Sequence, residues 1–323
     1  MRRVTLGRTG LDSSAIGFGC ASLGSRVTAP EGLRALAEAF EAGVDWLDLA
    51  PAYGRGRAEV IAADFIRGRR DRLRLCTKVG LAAPGNAGGL KGRVLGAAMP
   101  LARALIGAVP ALRGLARASG ATANRKLPLT PELLKASLEE SLTRLGTDHV
   151  DLYALHNATP EEIARDEILR ALEDLVAAGK TRSVAVAGDA AVAAAAAARG
   201  APFGAVQLAL PAPGTAAPVI GAAEAAGLGA LTHSVFGAEG APARLGAALA
   251  APAARAEALA LTGLEDPKAA LARLLLARAF ALNPSGVVLV SMFSARSRAA
   301  NLALADERPD PAAAALLDRL GRA

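Results

Sequence analysis

The 323-residue sequence predicts an α/β chain folded as a single (β/α)8 TIM barrel, with an N-terminal β-hairpin and a long insertion after strand 3. Three observations carry this. Short apolar runs alternate with longer helical patterns, the arrangement that a parallel sheet requires. Eight such strand-plus-helix units can be counted, and eight units in about 300 residues favour a closed barrel over an open doubly wound sheet. No GxGxxG follows the first strand, which weakens the open-sheet alternative.

The elements follow in order. "RVTLGRTGL" near the start reads as a small hairpin ahead of the barrel. "AIGFG" (Ala15 to Gly19) is the first strand; in the helix after it, Thr28 and Glu31 have capping-box spacing and Gly43 can end the helix. "WLDLA" is the second strand, followed by a helical stretch from about Arg57 to Arg67, and "LRLCTKVG" (Leu73 to Gly80) is the third. "VDLYAL" (Val150 to Leu155) is the fourth, and its helix repeats the box at Thr159 and Glu162 with Pro160 in the first helical position. "RSVAVA" precedes a helix with Asp189 as N-cap, and "GAVQLAL" and "LGALTHS" each precede a helical region. "GVVLVS" (Gly286 to Ser291) and a helix through Asn301 complete the set. Residues 1–323 are thus one barrel, with residues 81–129 as an inserted, helical, lid-like segment. A connection after a barrel strand lies on the catalytic face, so the insertion is either a lid or substrate wall, or extra helices packed over the rim.

Composition narrows the function. At 52% hydrophobic and 21% charged, the chain is core-forming rather than disordered. The net charge of +7 raises the question of an anionic partner, but the arginines are spread along the chain. The densest run, "RGRRDRLR" (Arg67 to Arg74), contains an aspartate and no aromatics; it reads as a solvated helix end with cations at the negative end of the dipole. Neither a nucleic acid nor a membrane is therefore expected as a partner. The longest uncharged stretch, Gly200 to Ala223, is broken by four prolines, unlike a membrane span. Two cysteines without CxxC spacing, and an N-terminus with no apolar signal region, point to a reducing, cytoplasmic setting.

Reactive groups of a barrel belong at the C-terminal ends of its strands. Asp48 ends the second strand, with Tyr53 in the loop after it; Lys78 ends the third and His156 the fourth. Each alone has a plain explanation as a cap, rim packing, a surface charge or a core histidine. Together they describe a proton relay aimed at a carbonyl oxygen. A phenol with a reference pKa of about 10 is a poor acid at neutral pH. An adjacent ammonium held by an aspartate is expected to lower that value, while a neutral imidazole can donate to the carbonyl.

The stretches "GVDWLDLAPAYGRG", "CTKVG", "SLTRLGTDHVDLYALH" and "ALEDLVAAGKTRSVAVAG" resemble, in matching order, the sequence pattern of the aldo-keto reductase superfamily. The resemblance implies a monomeric-type barrel, or a small homo-oligomer, binding NADPH or NADH in extended form and acting on a small aldehyde, ketone or sugar carbonyl. It implies Tyr53 as proton donor and acceptor, Lys78 and Asp48 as its tuning pair and His156 as the residue orienting the carbonyl. For the cofactor it implies the backbone at Gly19 and Cys20, Asp48, Gln207 at the carboxamide, His233 stacked on the nicotinamide, Ser234 and Phe236 near the pyrophosphate, and Asn301 at the adenine. Arg296 or Arg298 would meet a 2′-phosphate, because Ser297 occupies the position where the family often has arginine. Ala187 and Gly188 replace the usual Ser-Asn pair, so the resemblance implies either weaker cofactor binding or a site rebuilt by Asp189. Ala21 stands where many relatives have an aromatic wall. Tyr153 and His149, in or just before the fourth strand, read as structural.

Two other classes bear on the same residues. A barrel that binds cofactor with a regulatory or weakly catalytic role is suggested by the lost Ser-Asn pair and the insertion, and opposed by the intact tetrad. A metal-dependent hydrolase needs clustered histidines and carboxylates; with three histidines in all, no metal is expected.

Overall fold

A computed structural model describes residues 1–83, 124–214, 218–237 and 241–322. Eight strands close into a parallel barrel: β3 (Ile16–Gly19), β4 (Trp46–Asp48), β5 (Arg74–Val79), β8 (Val150–His156), β9 (Thr181–Gly188), β10 (Phe203–Ala209), β11 (Gly229–His233) and β12 (Val287–Val290). The last pairs with the first, Val288 opposite Ile16, which removes both sheet edges. The strands are buried on both faces and read as continuous apolar runs rather than alternating ones.

The helices begin where the sequence signals place them. Thr28 and Glu31 form a capping box before the helix Ala29–Glu41, and Thr159 and Glu162 form another before Pro160–Ile163. Asp189 caps Ala190–Arg199 by accepting from the N–H groups of Ala191 and Val192, both at 3.0 Å. One oxygen of that carboxylate, Oδ1, is therefore engaged at the helix start, and Asp189 does not line the cleft described below.

The N-terminal hairpin, β1 (Arg3–Thr5) and β2 (Asp12–Ser14), seals the end of the barrel away from the strand C-termini. Asp45, just before β4, holds it: its carboxylate accepts from Ser14 N–H at 2.8 Å and pairs with Arg3 at 2.6 Å. Trp46, fully buried, packs on the side-chain-free face of Gly17, where an added Cβ would lie 2.9 Å from its ring. The tryptophan is thus barrel filling beneath the strand ends.

Three expectations need correction. The insertion is not helical throughout 81–129: its ends form an antiparallel pair, β6 (Leu81–Ala82) with β7 (Arg125–Lys126). The chain leaves and rejoins the barrel at one point, with Leu127 N–H donating to Gly80 O at 2.8 Å. Residues 84–123, on which the lid expectation falls, lie outside the described residues. The arginine run does follow a helix end, with Arg67 exposed at the cap, but it is only partly solvated. The helix stops at Ile66, and Arg70 reaches the fully buried Asp151 at 2.9 Å, while Arg69 and Arg72 lie over the rings of Phe65 and Phe40. Finally, a helix beyond those expected, Pro311–Arg322, packs on Pro267–Leu282 through a small apolar cluster and an Arg278–Asp318 ion pair at 2.7 Å. Among the described residues no helix is long and apolar enough to cross a membrane.

Candidate active site

A cleft of about 750 Å3 opens at the C-terminal ends of the barrel strands, lined by Asp48, Tyr53, His156, Gln207 and His233 among others. Parallel pairing brings them together: Gly19 lies opposite Asp48, Asp48 opposite Cys76 and His156 opposite Ala187 in register. Residues distant in sequence become neighbours because all eight strands end on one face.

Lys78 is buried at 1% exposure, and its Nζ donates to Asp48 Oδ1 at 2.6 Å and to Leu49 O at 2.9 Å. The Tyr53 hydroxyl donates to Asp48 Oδ2 at 3.3 Å, and Lys78 Nζ sits 4.7 Å from the phenol ring centre. The His156 ring meets the Tyr53 ring edge to face, centres 6.2 Å apart. The carboxylate thus binds the ammonium with one oxygen and the phenol with the other, a charge-assisted arrangement that fixes both.

The electrostatics overturn one expectation. Burial pushes the Tyr53 phenol above its ordinary value, the Asp48 charge adds to this, and Lys78 opposes both without prevailing. Lysine does pull the tyrosine down, as expected, but burial and the Asp48 charge outweigh it. Burial works against the Lys78 ammonium, yet Asp48 and Tyr53 hold its pKa above the usual lysine value. The phenol therefore keeps its proton and the ammonium keeps its charge at neutral pH. Burial, followed by Lys78 and His233, lowers His156 to about 3, so the imidazole is neutral and able to donate. His233 is lowered as well, by burial first.

His156 supplies a test of this environment. Unfolded, its pKa returns to about 6.5, so below that pH the unfolded chain takes up a proton that the folded one refuses. The stability contribution is complete above about pH 6.5 and is lost as the pH falls towards 3. Urea unfolding should show a loss of about 1 to 2 kcal/mol between pH 7 and pH 5, a loss that His156→Gln reduces; equal pH slopes in both proteins would contradict it.

A second cleft of about 630 Å3 meets the first at Phe236 and Ser291, and Arg296, Ser297 and Asn301 line it. Gly19 lines the first cleft, as do Ser234 and Phe236. Cys20 does not: its thiol is buried, and its backbone N–H donates to Asp48 O at 3.0 Å. Arg298 also turns away. Its guanidinium donates to Met292 O at 3.0 Å and pairs with Glu38, so of the two candidate arginines only Arg296 faces the cleft. Tyr153 is fully buried and donates to Leu134 O at 2.9 Å; His149 pairs with Asp148 at 2.7 Å, away from the cleft.

The polar atoms test whether an extended dinucleotide fits. Gln207 Oε1, on a side chain 2% exposed at the base of the first cleft, and Asn301 Nδ2, in the second, are buried without partners among the described residues. Buried polar atoms need partners: the first accepts, as a carboxamide NH2 requires, and the second donates, as a ring nitrogen requires. Ala187 and Gly188 present no side-chain donors in the first cleft. Beside them, Asn157 also lines it, in a left-handed conformation (φ 55°) with its N–H on Ala187 O at 2.6 Å. Asn157 lies outside the motifs noted in the sequence, although an asparagine directly after a strand-end histidine is a usable signal, since asparagine tolerates positive φ. Arg26, another cleft residue, gave no signal because it lies in a loop outside any motif. Among the described residues, no group of three His, Cys, Asp or Glu could hold a metal ion.

Comparison with known proteins supplies a family. Residues 15–239 match the model of the Aldo/keto reductase family. YqkF of Bacillus subtilis, described as an uncharacterized oxidoreductase, is 32% identical over 182 residues, 56% of this chain and 47% of YqkF. The 6-dehydroglucose reductase of Agrobacterium fabrum is 30% identical over 191 residues, 58% of this chain and 53% of that protein. The chain thus spans about half the length of the curated relatives it matches. Among solved structures, the aldo-keto reductase AKR11C1 of Bacillus halodurans, in its holo form, superposes with a TM-score of 0.72 at 21% identity, covering 99% of this chain and 96% of that one. An aldo-keto reductase of Klebsiella pneumoniae in complex with NADPH has a TM-score of 0.65 at 23% identity over 99% and 95% of the two chains.

Proposed function

This chain belongs to the aldo/keto reductase family, and from that premise we propose that it is an NAD(P)(H)-dependent oxidoreductase interconverting an aldehyde, ketone or sugar carbonyl with its alcohol. The observation that carries the reading is the Tyr53 hydroxyl, protonated and bound to an Asp48 already paired with the buried Lys78, in one cleft with a neutral His156.

A bound nicotinamide cofactor supplies the hydride that no side chain provides. Gln207 and Asn301 would hold its two ends through their unpartnered amide atoms, with His233 against the ring. His156 donates a hydrogen bond to the carbonyl oxygen and draws electron density from its carbon. As the carbon accepts the hydride, the oxygen becomes basic enough to take the Tyr53 proton. Lys78 stabilises the phenolate left behind, with its charge 4.7 Å from the ring. In the oxidative direction the same groups run in reverse, with the phenolate as base.

The test is NADPH consumption with a panel of aldehydes, followed by absorbance. Turnover is expected; tight cofactor binding without turnover of any aldehyde would favour the regulatory barrel that the absent Ser-Asn pair suggests. Cofactor choice follows from Arg296, 88% exposed at the second cleft. Arg296→Ala is expected to weaken NADPH binding about ten-fold, in line with the loss of one charge-assisted contact, and to leave NADH binding unchanged. Quenching of Trp46, the only tryptophan, reads both; equal losses for the two cofactors would remove Arg296 from the phosphate.

A further inference from the structure

We propose that Arg26 is a substrate-selecting residue: its guanidinium is an anion site in the cleft, and the preferred carbonyl substrates carry a carboxylate or phosphate. This rests on the reductase reading of the cleft and names the substrate class within it.

Position comes first. Arg26 lines the same cleft as Tyr53 and His156. Its side chain is held by Ser22, whose hydroxyl accepts from the guanidinium at 2.7 Å. The backbone of the loop is equally fixed, because the N–H groups of Ser25, Arg26 and Val27 all converge on Ser22 O at 3.1 Å. This loop abuts the turn that carries Tyr53. Gly54 N–H donates to Ala21 O at 3.3 Å, and a Cβ on Gly54, at φ 57°, would overlap Leu23 O. Two interlocked loops thus carry the cation and the phenol, and a side chain larger than a hydrogen at Gly54 would push them apart.

Charge comes second. Asp48 is neutralised by Lys78 at 2.6 Å, and His156 and His233 are both shifted towards the neutral form. Arg26 forms no ion pair among the described residues, its side-chain partner being the neutral Ser22 hydroxyl. It is therefore the one uncompensated charge among the described residues lining the cleft. A guanidinium offers a planar fork of donors that matches a carboxylate or phosphate, and the exposed Arg26 side chain at the cleft is open to such a group. The small Ala21 beside it leaves room for such a group.

The location favours the substrate over the cofactor as the source of the anion. The second cleft, with Arg296 and Asn301, joins the first at Phe236 and Ser291, and Arg26 lies outside it, against the Tyr53 turn.

The experiment compares kcat/KM for 4-carboxybenzaldehyde and for its methyl ester, in the wild type and in Arg26→Gln. The wild type is expected to favour the carboxylate by ten-fold or more, and the variant's ratio to fall towards one, chiefly through a higher KM for the acid. A wild-type ratio near one, or the same ratio in both proteins, overturns the proposal. So does a variant whose ratio is unchanged while its NADPH dissociation constant, read by Trp46 quenching, rises: the anion met by Arg26 is then the cofactor's. If neither aldehyde is consumed, the reductase reading fails by itself, and calorimetry with 4-carboxybenzyl alcohol still decides the anion site. Binding about ten-fold weaker to Arg26→Gln supports it, and equal binding overturns it.

Discussion

Tyr53→Phe is expected to lower carbonyl reduction by about three orders of magnitude, within the range that general acid catalysis contributes, while cofactor binding stays as it was. The hydroxyl is the only group removed. The ring keeps its edge-to-face contact with His156 and its place 4.7 Å from Lys78 Nζ. What disappears is the protonated group that would give its hydrogen to the developing alkoxide, with a hydrogen bond to Asp48 that held it at 3.3 Å. Single-turnover kinetics separate binding from chemistry: unchanged Trp46 quenching by NADPH with a collapsed rate constant is the expected pair of results. A variant retaining a tenth or more of wild-type turnover would remove Tyr53 as proton donor.

Lys78→Met is expected to reduce stability by about 3 kcal/mol as well as activity, the cost of leaving one member of a buried ion pair alone. Asp48 is 4% exposed and Lys78 1%, and each is the other's charged partner at 2.6 Å. Without the ammonium, Leu49 O and Asp48 Oδ1 both lose their donor. Adding Asp48→Asn should recover a substantial part of the stability, because no lone charge then remains, yet should recover no turnover, because the relay is gone. Urea unfolding of wild type, both single variants and the double variant gives the coupling directly. Additive losses would mean that the pair does not act as a unit.

The relation between sequence and structure differs from residue to residue. The tetrad was legible because each member ends a strand or follows one closely, and a parallel barrel gathers strand ends on one face. Helix starts were legible because a capping box is a local device of four residues. The orientation of Arg298 was not. Nothing near it in sequence announces Glu38, and that pair is what turns it from the cleft while its neighbour Arg296 faces it. The role of Asp189 is decided by its helix, where two N–H groups donate to one carboxylate oxygen, Oδ1. The direction of the Tyr53 shift is likewise absent from the sequence. Counting charges near a phenol omits burial, which together with Asp48 outweighs the lowering by Lys78.

Sequence by itself determined the alternating strands and helices, the barrel they imply, the capped helix starts and the identity of the groups at the strand ends. These rest on local propensity and periodicity, which a chain carries whether or not it is folded. Tertiary structure alone decided the pairing of the insertion's two ends, the packing of the C-terminal helix, the turning of Arg298 towards Glu38, the upward shift of the Tyr53 phenol and the cleft position of Arg26. Each of these depends on burial or on a partner remote in sequence, and neither burial nor a distant partner exists until the strands have closed.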